Sequence, residues 1–152
     1  HLLEAWAGHV LSATLMFQKE VADRLVAPAG TSAYGALSVL VQSMAEAWSL
    51  FGVPPGSFRP IPKIQSRIVR LLPREQPLWA GLDYEWFRKV VHGGFQARRK
   101  TLINSLALAP GLPKEQAVLA EAIEVAGLSS GDRGDQVPVE GWVALARALP
   151  RP

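Results

Sequence analysis

Residues 57–66 read SFRPIPKIQS, an aromatic held where neither a helix nor an ordinary strand can form. Proline fixes its own φ and pushes the residue before it into extended geometry. PPGSFRPIP (54–62) is therefore a rigid loop with Phe58 inside it. Read from the residues alone, Phe58 is either a contact group or a loop aromatic packed back on the core. Arg59, Lys63, Arg67 and Arg70 follow it, and Arg98-Arg99-Lys100 with Asn104 forms the densest basic cluster of the chain. Such a cluster can neutralise phosphates, because the arginine fork matches phosphate oxygens. The plainer alternative is a solvated helix face.

The positive charge is concentrated around these groups. Residues 59–100 carry Arg59, Lys63, Arg67, Arg70, Arg74, Arg88, Lys89, Arg98, Arg99 and Lys100 against Glu75, Asp83 and Glu85, a net of +7 within a chain of net +3. The segments on either side are each mildly acidic. A basic stretch between acidic flanks suggests a phosphate-rich partner.

Composition narrows the class. With 49% hydrophobic and 19% charged residues among 152, the chain can bury a core and lacks the signature of disorder. No apolar run approaches the roughly 20 residues that a bilayer span needs, so no membrane association is expected. The absence of cysteine excludes disulfides and thiolate metal sites. The histidines His1, His9 and His92 show no ligand spacing, so no metal is expected. The first methionine is Met16, and no leader pattern precedes it. The chain is expected to be a piece of a longer, cytoplasmic protein.

The elements that would hold these groups fall into two kinds. LSATLMF (11–17) reads as a buried strand of a parallel sheet. QKEVADRLVA (18–27) reads as a helix behind it, half of a βαβ unit. Ser32 is expected to cap a second helix, with Leu37, Leu40, Val41 and Met44 on its apolar face. AEAWSLFGV (45–53) and IQSRIVRLL (64–72) read as paired strands on either side of the proline loop. Their alternation sends Arg67 and Arg70 to opposite faces. Helices follow: 83–106 with Trp86, Phe87, Val90 and Val91 on one side and a bend at Gly93-Gly94, 113–127 from proline to glycine, and a short helix at 138–150. Trp48, Trp79, Trp86 and Trp142 are expected in the core or between the two parts. Glu20 and Asp23, possible as an acid and a base by type, are read instead as favourable charges at a helix start.

Four stretches in this order, FQKEVADRL (17–25), AYGALSVLVQ (33–42), VPPGSFRPIPKIQSRIVRL (53–71) and FQARRKTLINSL (95–106), resemble the rRNA adenine dimethyltransferases of the small ribosomal subunit. The resemblance covers most of residues 11–108. It implies an α/β fold: the C-terminal part of a Rossmann-like methyltransferase sheet over 1–74, then a small all-helical, rRNA-contacting domain over 75–152. It implies transfer of methyl groups from S-adenosylmethionine to N6 of two adjacent adenosines near the 3′ end of small-subunit rRNA, in ribosome biogenesis, by a monomer. Phe58 is implied to stack on the target adenine, and Arg59, Lys63, Arg98, Arg99, Lys100 and Asn104 to contact RNA. Chemistry on a base requires that base to leave the stack and be held by its face, and a proline-stiffened loop favours such positioning.

The sequence departs from the family in what it lacks. It has no glycine-rich turn after a strand for the cofactor and no N-[LI]-P-[YF] tetrapeptide to bind the target amino group. GLSSGDRG (127–134) and HGG (92–94) sit among helices and are read as loops or bends. His1-Leu2-Leu3-Glu4 resembles the helix that follows the missing tetrapeptide. The chain alone is therefore expected neither to bind S-adenosylmethionine tightly nor to transfer methyl groups, and its sheet part is expected to expose an apolar edge. The alternatives are a related large-subunit erythromycin-resistance methylase, a mitochondrial transcription-factor relative, or a non-enzymatic RNA-binding module.

Overall fold

The computed structural model describes residues 10–151, so the expectations for His1 through Glu4 and for His9 lie outside the described residues. The order is β1 (Ala13–Gln18), α1 (Lys19–Val26), α2 (Ala36–Gln42), β2 (Ala45–Val53), a 3-10 turn at Pro55–Ser57 and β3 (Ser66–Pro73). Then come α3 (Tyr84–Phe95), α4 (Leu102–Leu108), α5 (Gln116–Val125), a 3-10 turn at Gly134–Gln136 and α6 (Val139–Ala148). Sheet gives way to helices where the change of period predicts it.

β3 lies between β1 and β2, and both pairings are antiparallel. β1 therefore does not sit in a parallel sheet among the described residues. β1 and β2 do run the same way, as a helical crossover requires, but β3 separates them. Alternation along β3 sends Val69 and Leu71 to one face, where they are buried with Ala22 and Ala45 under α1. Arg67 lies on that face and Arg70 on the other, as predicted.

No described element covers the second face. Met16 is 50% exposed, Trp48 43% and Phe51 61%, and Leu50 and Leu72 join them. The register shift between Ser49 and Phe51 leaves Leu50 as the extra residue of a bulge. The expectations of a buried strand at 11–17 and a packed Trp48 both fail for one reason: no described element covers this face or pairs the outer edge of β1. A contiguous apolar face of this kind marks an interaction surface.

α2 joins the sheet to the helices. It touches α1 and β2 on one side and α3 and α6 on the other. Val39 belongs to the larger helical core, while Val41 packs against the small sheet core. Two-sided burial explains why Ser38 and Val39 are fully buried and Leu37, placed on the predicted apolar face, is exposed. The cap is Gly35, whose N–H donates to Ser38 Oγ at 3.1 Å, and not Ser32.

α3 buries Trp86, Phe87, Val90 and Val91 as its spacing predicts. It runs unbroken through Gly93-Gly94, where a bend was expected. The glycines serve packing. A Cβ on Gly94 would stand 2.2 Å from Cη2 of Trp142, and one on Gly93 2.6 Å from Cδ1 of Leu112. The Trp142 ring of α6 lies against the α3 backbone and stacks on Phe95 at 5.1 Å. The real break falls at residues 96–101.

Candidate nucleic-acid interface

The Phe58 loop leaves the end of β2 and re-enters at the start of β3, beside the C-terminal ends of β1 and β2. That is the edge where open α/β sheets place their ligands. Phe58 follows the 3-10 turn, with its N–H donating to the Pro55 carbonyl at 3.2 Å and extended backbone (φ −121°, ψ 154°). The Arg59–Pro60 peptide bond is cis. The Phe58 ring is half-buried, yet it belongs to neither hydrophobic cluster of the described residues and pairs with no other ring among them. Ile61 and Ile64 beside it are exposed. Arg59 and Lys63 are exposed too and form no ion pair among the described residues.

A cleft of about 820 Å³ opens beside this loop. Ile64 and Gln65 form one wall with the junction of β1 and α1, and Phe95 and Arg98 form another. The carboxylates of the cleft are already engaged. Asp23 meets Lys19 at 2.6 Å and Arg67 at 3.0 Å, and Glu20 meets Arg24 at 2.5 Å. These are structural pairs; Glu20 stands in the first turn of α1, as the helix-start reading expects, while Asp23 lies beyond it.

The basic cluster sits in the turn between α3 and α4 rather than on a helix face. Ser105, fully buried, shapes that turn: its Oγ donates to the Gly93 carbonyl at 2.9 Å and accepts from the Ala97 N–H at 3.1 Å. Arg99 and Lys100 are exposed and form no ion pair among the described residues. Arg98 behaves differently, because its guanidinium donates to the Ser32 carbonyl. Asn104 is partly used as well: its Nδ2 donates to Thr101 Oγ1 at 2.8 Å, at the start of α4. Elsewhere in the basic stretch, Arg74 pairs with Glu46 and Arg88 with Glu85.

Two residues that sequence reasoning passed over hold this region together. Tyr34 is buried, donates its hydroxyl to the Val137 carbonyl at 2.8 Å and meets Phe95 edge-on at 6.0 Å. Burial pushes its phenol well above the usual range, so it stays protonated. The other is Ser105, a small polar residue in an apolar helical run, which could have been flagged on that ground.

Nothing among the described residues fits a nucleoside cradle for S-adenosylmethionine. β1 runs directly into Lys19 and β2 into Pro54. The glycines with positive φ, Gly30, Gly81, Gly111 and Gly127, stand singly in turns and not in a glycine-rich strand-to-helix turn. No group of His, Asp or Glu that could hold a metal occurs among the described residues.

A family model described as ribosomal RNA adenine dimethylase matches residues 1–138. The ribosomal RNA small subunit methyltransferase A of Geobacter metallireducens is 45% identical over 136 residues, 89% of this chain and 49% of that protein. The protein of the same name from Sphingopyxis alaskensis is 45% identical over 147 residues, 97% of this chain and 51% of its own length. The chain thus spans about half the length of the curated relatives it matches. Among solved structures, a dimethyladenosine transferase from Plasmodium falciparum superposes with a TM-score of 0.78 at 22% identity, covering 94% of this chain and 58% of that one. The 23S rRNA methyltransferase ErmE superposes at 0.61 and 24% identity, covering 97% and 59%. At these identities the two structures speak for the fold alone.

Proposed function

The chain belongs to the ribosomal RNA adenine dimethylase family, and from that premise we propose that it is the base-stacking and RNA-contacting half of a small-subunit rRNA adenine dimethyltransferase. The whole enzyme converts two adjacent adenosines near the 3′ end of that RNA to N6,N6-dimethyladenosines, with S-adenosylmethionine as donor. It does so in the cytoplasm, as a monomer, in ribosome biogenesis. Residues 1–74 complete the catalytic sheet, and residues 75–152 form the RNA-contacting helical part.

The observation that carries this reading is the state of Phe58. Phe58 lies in a proline-stiffened loop beside the C-terminal ends of β1 and β2, outside both hydrophobic clusters of the described residues. A partly exposed ring outside both clusters is suited to receive the face of an extruded base, and stacking contributes about 1–3 kcal/mol per base. Arg59 and Lys63 flank that ring and meet the strand carrying the base, while Arg99, Lys100 and the free oxygen of Asn104 meet the RNA further away.

The bare sheet face and the open edge of β1 support a division of labour. The half of the relatives' length that this chain does not span supplies the cofactor cradle and the polar group that receives the target amino hydrogens. That same half covers Met16, Trp48, Phe51 and Leu72.

The RNA reading has a direct test in the salt dependence of binding. With an RNA from the 3′ end of small-subunit rRNA that contains the two adenosines, Arg99→Ala and Lys100→Ala are each expected to flatten the slope of log K against log salt by about 0.7–0.9. Slopes equal to that of the unchanged chain would remove the turn from the RNA interface.

A further inference from the structure

We infer that Arg98 is a positioning residue that ties the link between α1 and α2 to the turn between α3 and α4, and so sets the distance from the Phe58 loop to Arg99 and Lys100. The inference rests on the RNA reading above. It separates Arg98 from the two cations beside it, which the sequence alone does not do.

Three polar contacts hold one link, residues 27–35, to the helical part. The Arg98 guanidinium donates to the Ser32 carbonyl, the Gly30 N–H donates to the Asp135 carbonyl at 2.6 Å, and the Tyr34 hydroxyl donates to the Val137 carbonyl. Two of these contacts come from groups buried or fixed in the backbone. Arg98 supplies the third from the surface, where it lines the cleft together with Ile64 and Gln65. Its Nη2 bond to the Ser32 carbonyl fixes the direction of the planar fork, which sets Arg98 apart from the two cations beside it. Arg99 and Lys100, without acidic partners among the described residues, remain available for phosphates.

The tie matters because recognition is at two points. A base on Phe58 and phosphates on Arg99 and Lys100 belong to one RNA, so the two sites must hold their spacing. A displacement of about 1 Å between such sites is enough to cost orders of magnitude in rate.

The test uses this chain with Arg98→Ala, Arg98→Lys and Arg99→Ala. The amides of Gly30, Thr31 and Tyr34, all hydrogen-bonded within the link or across it, report on the tie through hydrogen exchange. In Arg98→Ala they are expected to exchange roughly tenfold faster, the effect of losing one charge-assisted hydrogen bond. Arg98→Lys, which keeps a donor of similar reach, restores most of the protection. Against the RNA, Arg98→Ala keeps the salt slope of the unchanged chain, whereas Arg99→Ala flattens it. Arg98→Ala also loses the gain in affinity that the adenosine-bearing RNA has over the same RNA with both bases removed. Unchanged exchange at the three amides would overturn the tie. A slope that falls as far as in Arg99→Ala would make Arg98 a phosphate contact instead. If Arg99→Ala leaves the slope unchanged, the RNA reading fails, and the exchange result still decides whether Arg98 ties the link.

Discussion

Phe58→Ala is expected to lower methyl transfer by about 5- to 150-fold, with the complementary half of the enzyme supplied, while leaving the melting temperature of the chain nearly unchanged. The magnitude follows from stacking: about 1–3 kcal/mol per base, with each 1.36 kcal/mol worth tenfold in rate. The silent stability follows from the packing. Phe58 lies outside both hydrophobic clusters of the described residues, so truncating its ring opens no core cavity. Phe58→Tyr and Phe58→Trp keep a flat face and are expected to retain most activity. The opposite pattern, a lowered melting temperature with unchanged transfer, would make Phe58 a packing residue and take the base-stacking role from it.

Gly94→Ala is expected to show the reverse, a large loss of stability from a residue outside the Phe58 loop. The added Cβ would stand 2.2 Å from the edge of Trp142, and the ring is fully buried with no room to withdraw. Overpacking in a filled core costs about 1–3 kcal/mol and sometimes more. Gly134 tightens the constraint, since its own Cβ would stand 2.7 Å from the Gly94 carbonyl oxygen. Thermal unfolding followed by circular dichroism measures the effect. A melting temperature within a degree of the unchanged chain would mean that α3 and α6 are not packed this closely.

The two results would separate the functional loop from the scaffold, and the sequence showed these with unequal clarity. β2 was legible to the residue, because Pro54-Pro55 ends it and its apolar run is too short and too broken for another long helix. The paired strand was legible through alternation, which also sent Arg67 and Arg70 to opposite faces. The end of α5 was legible because Gly127 takes positive φ where the helix stops. Gly93-Gly94 was misread, because a glycine pair signals a break locally while its use here is set by Trp142, far along the chain. Trp48 was misread for a related reason: burial depends on what covers a face, and a strand's own residues do not say. Ser32 is a good cap by type, but Gly35 takes that place and the Ser32 carbonyl goes to Arg98. Within the basic cluster the residue types gave no sign of the Arg98 bond to Ser32, since only the fold brings the two together.

The bare sheet face links these structural findings to the proposed division of the enzyme. An apolar surface of Met16, Trp48, Leu50, Phe51 and Leu72 beside a strand edge that no described residue pairs invites association. In the proposed enzyme this surface is the seat of the cofactor-binding half. On that proposal the base platform and the RNA contacts belong to this chain and the donor site to the other half.

The most direct measurement is methyl transfer. The 152-residue chain is incubated with labelled S-adenosylmethionine and small ribosomal subunits that lack the two dimethyladenosines, with and without the complementary half of a curated relative. The expected result is no label in the RNA from the chain alone and label at the two adenosines when both halves are present. Label transferred by the chain alone would contradict the assignment of the cofactor site to the other half, and with it the division proposed here.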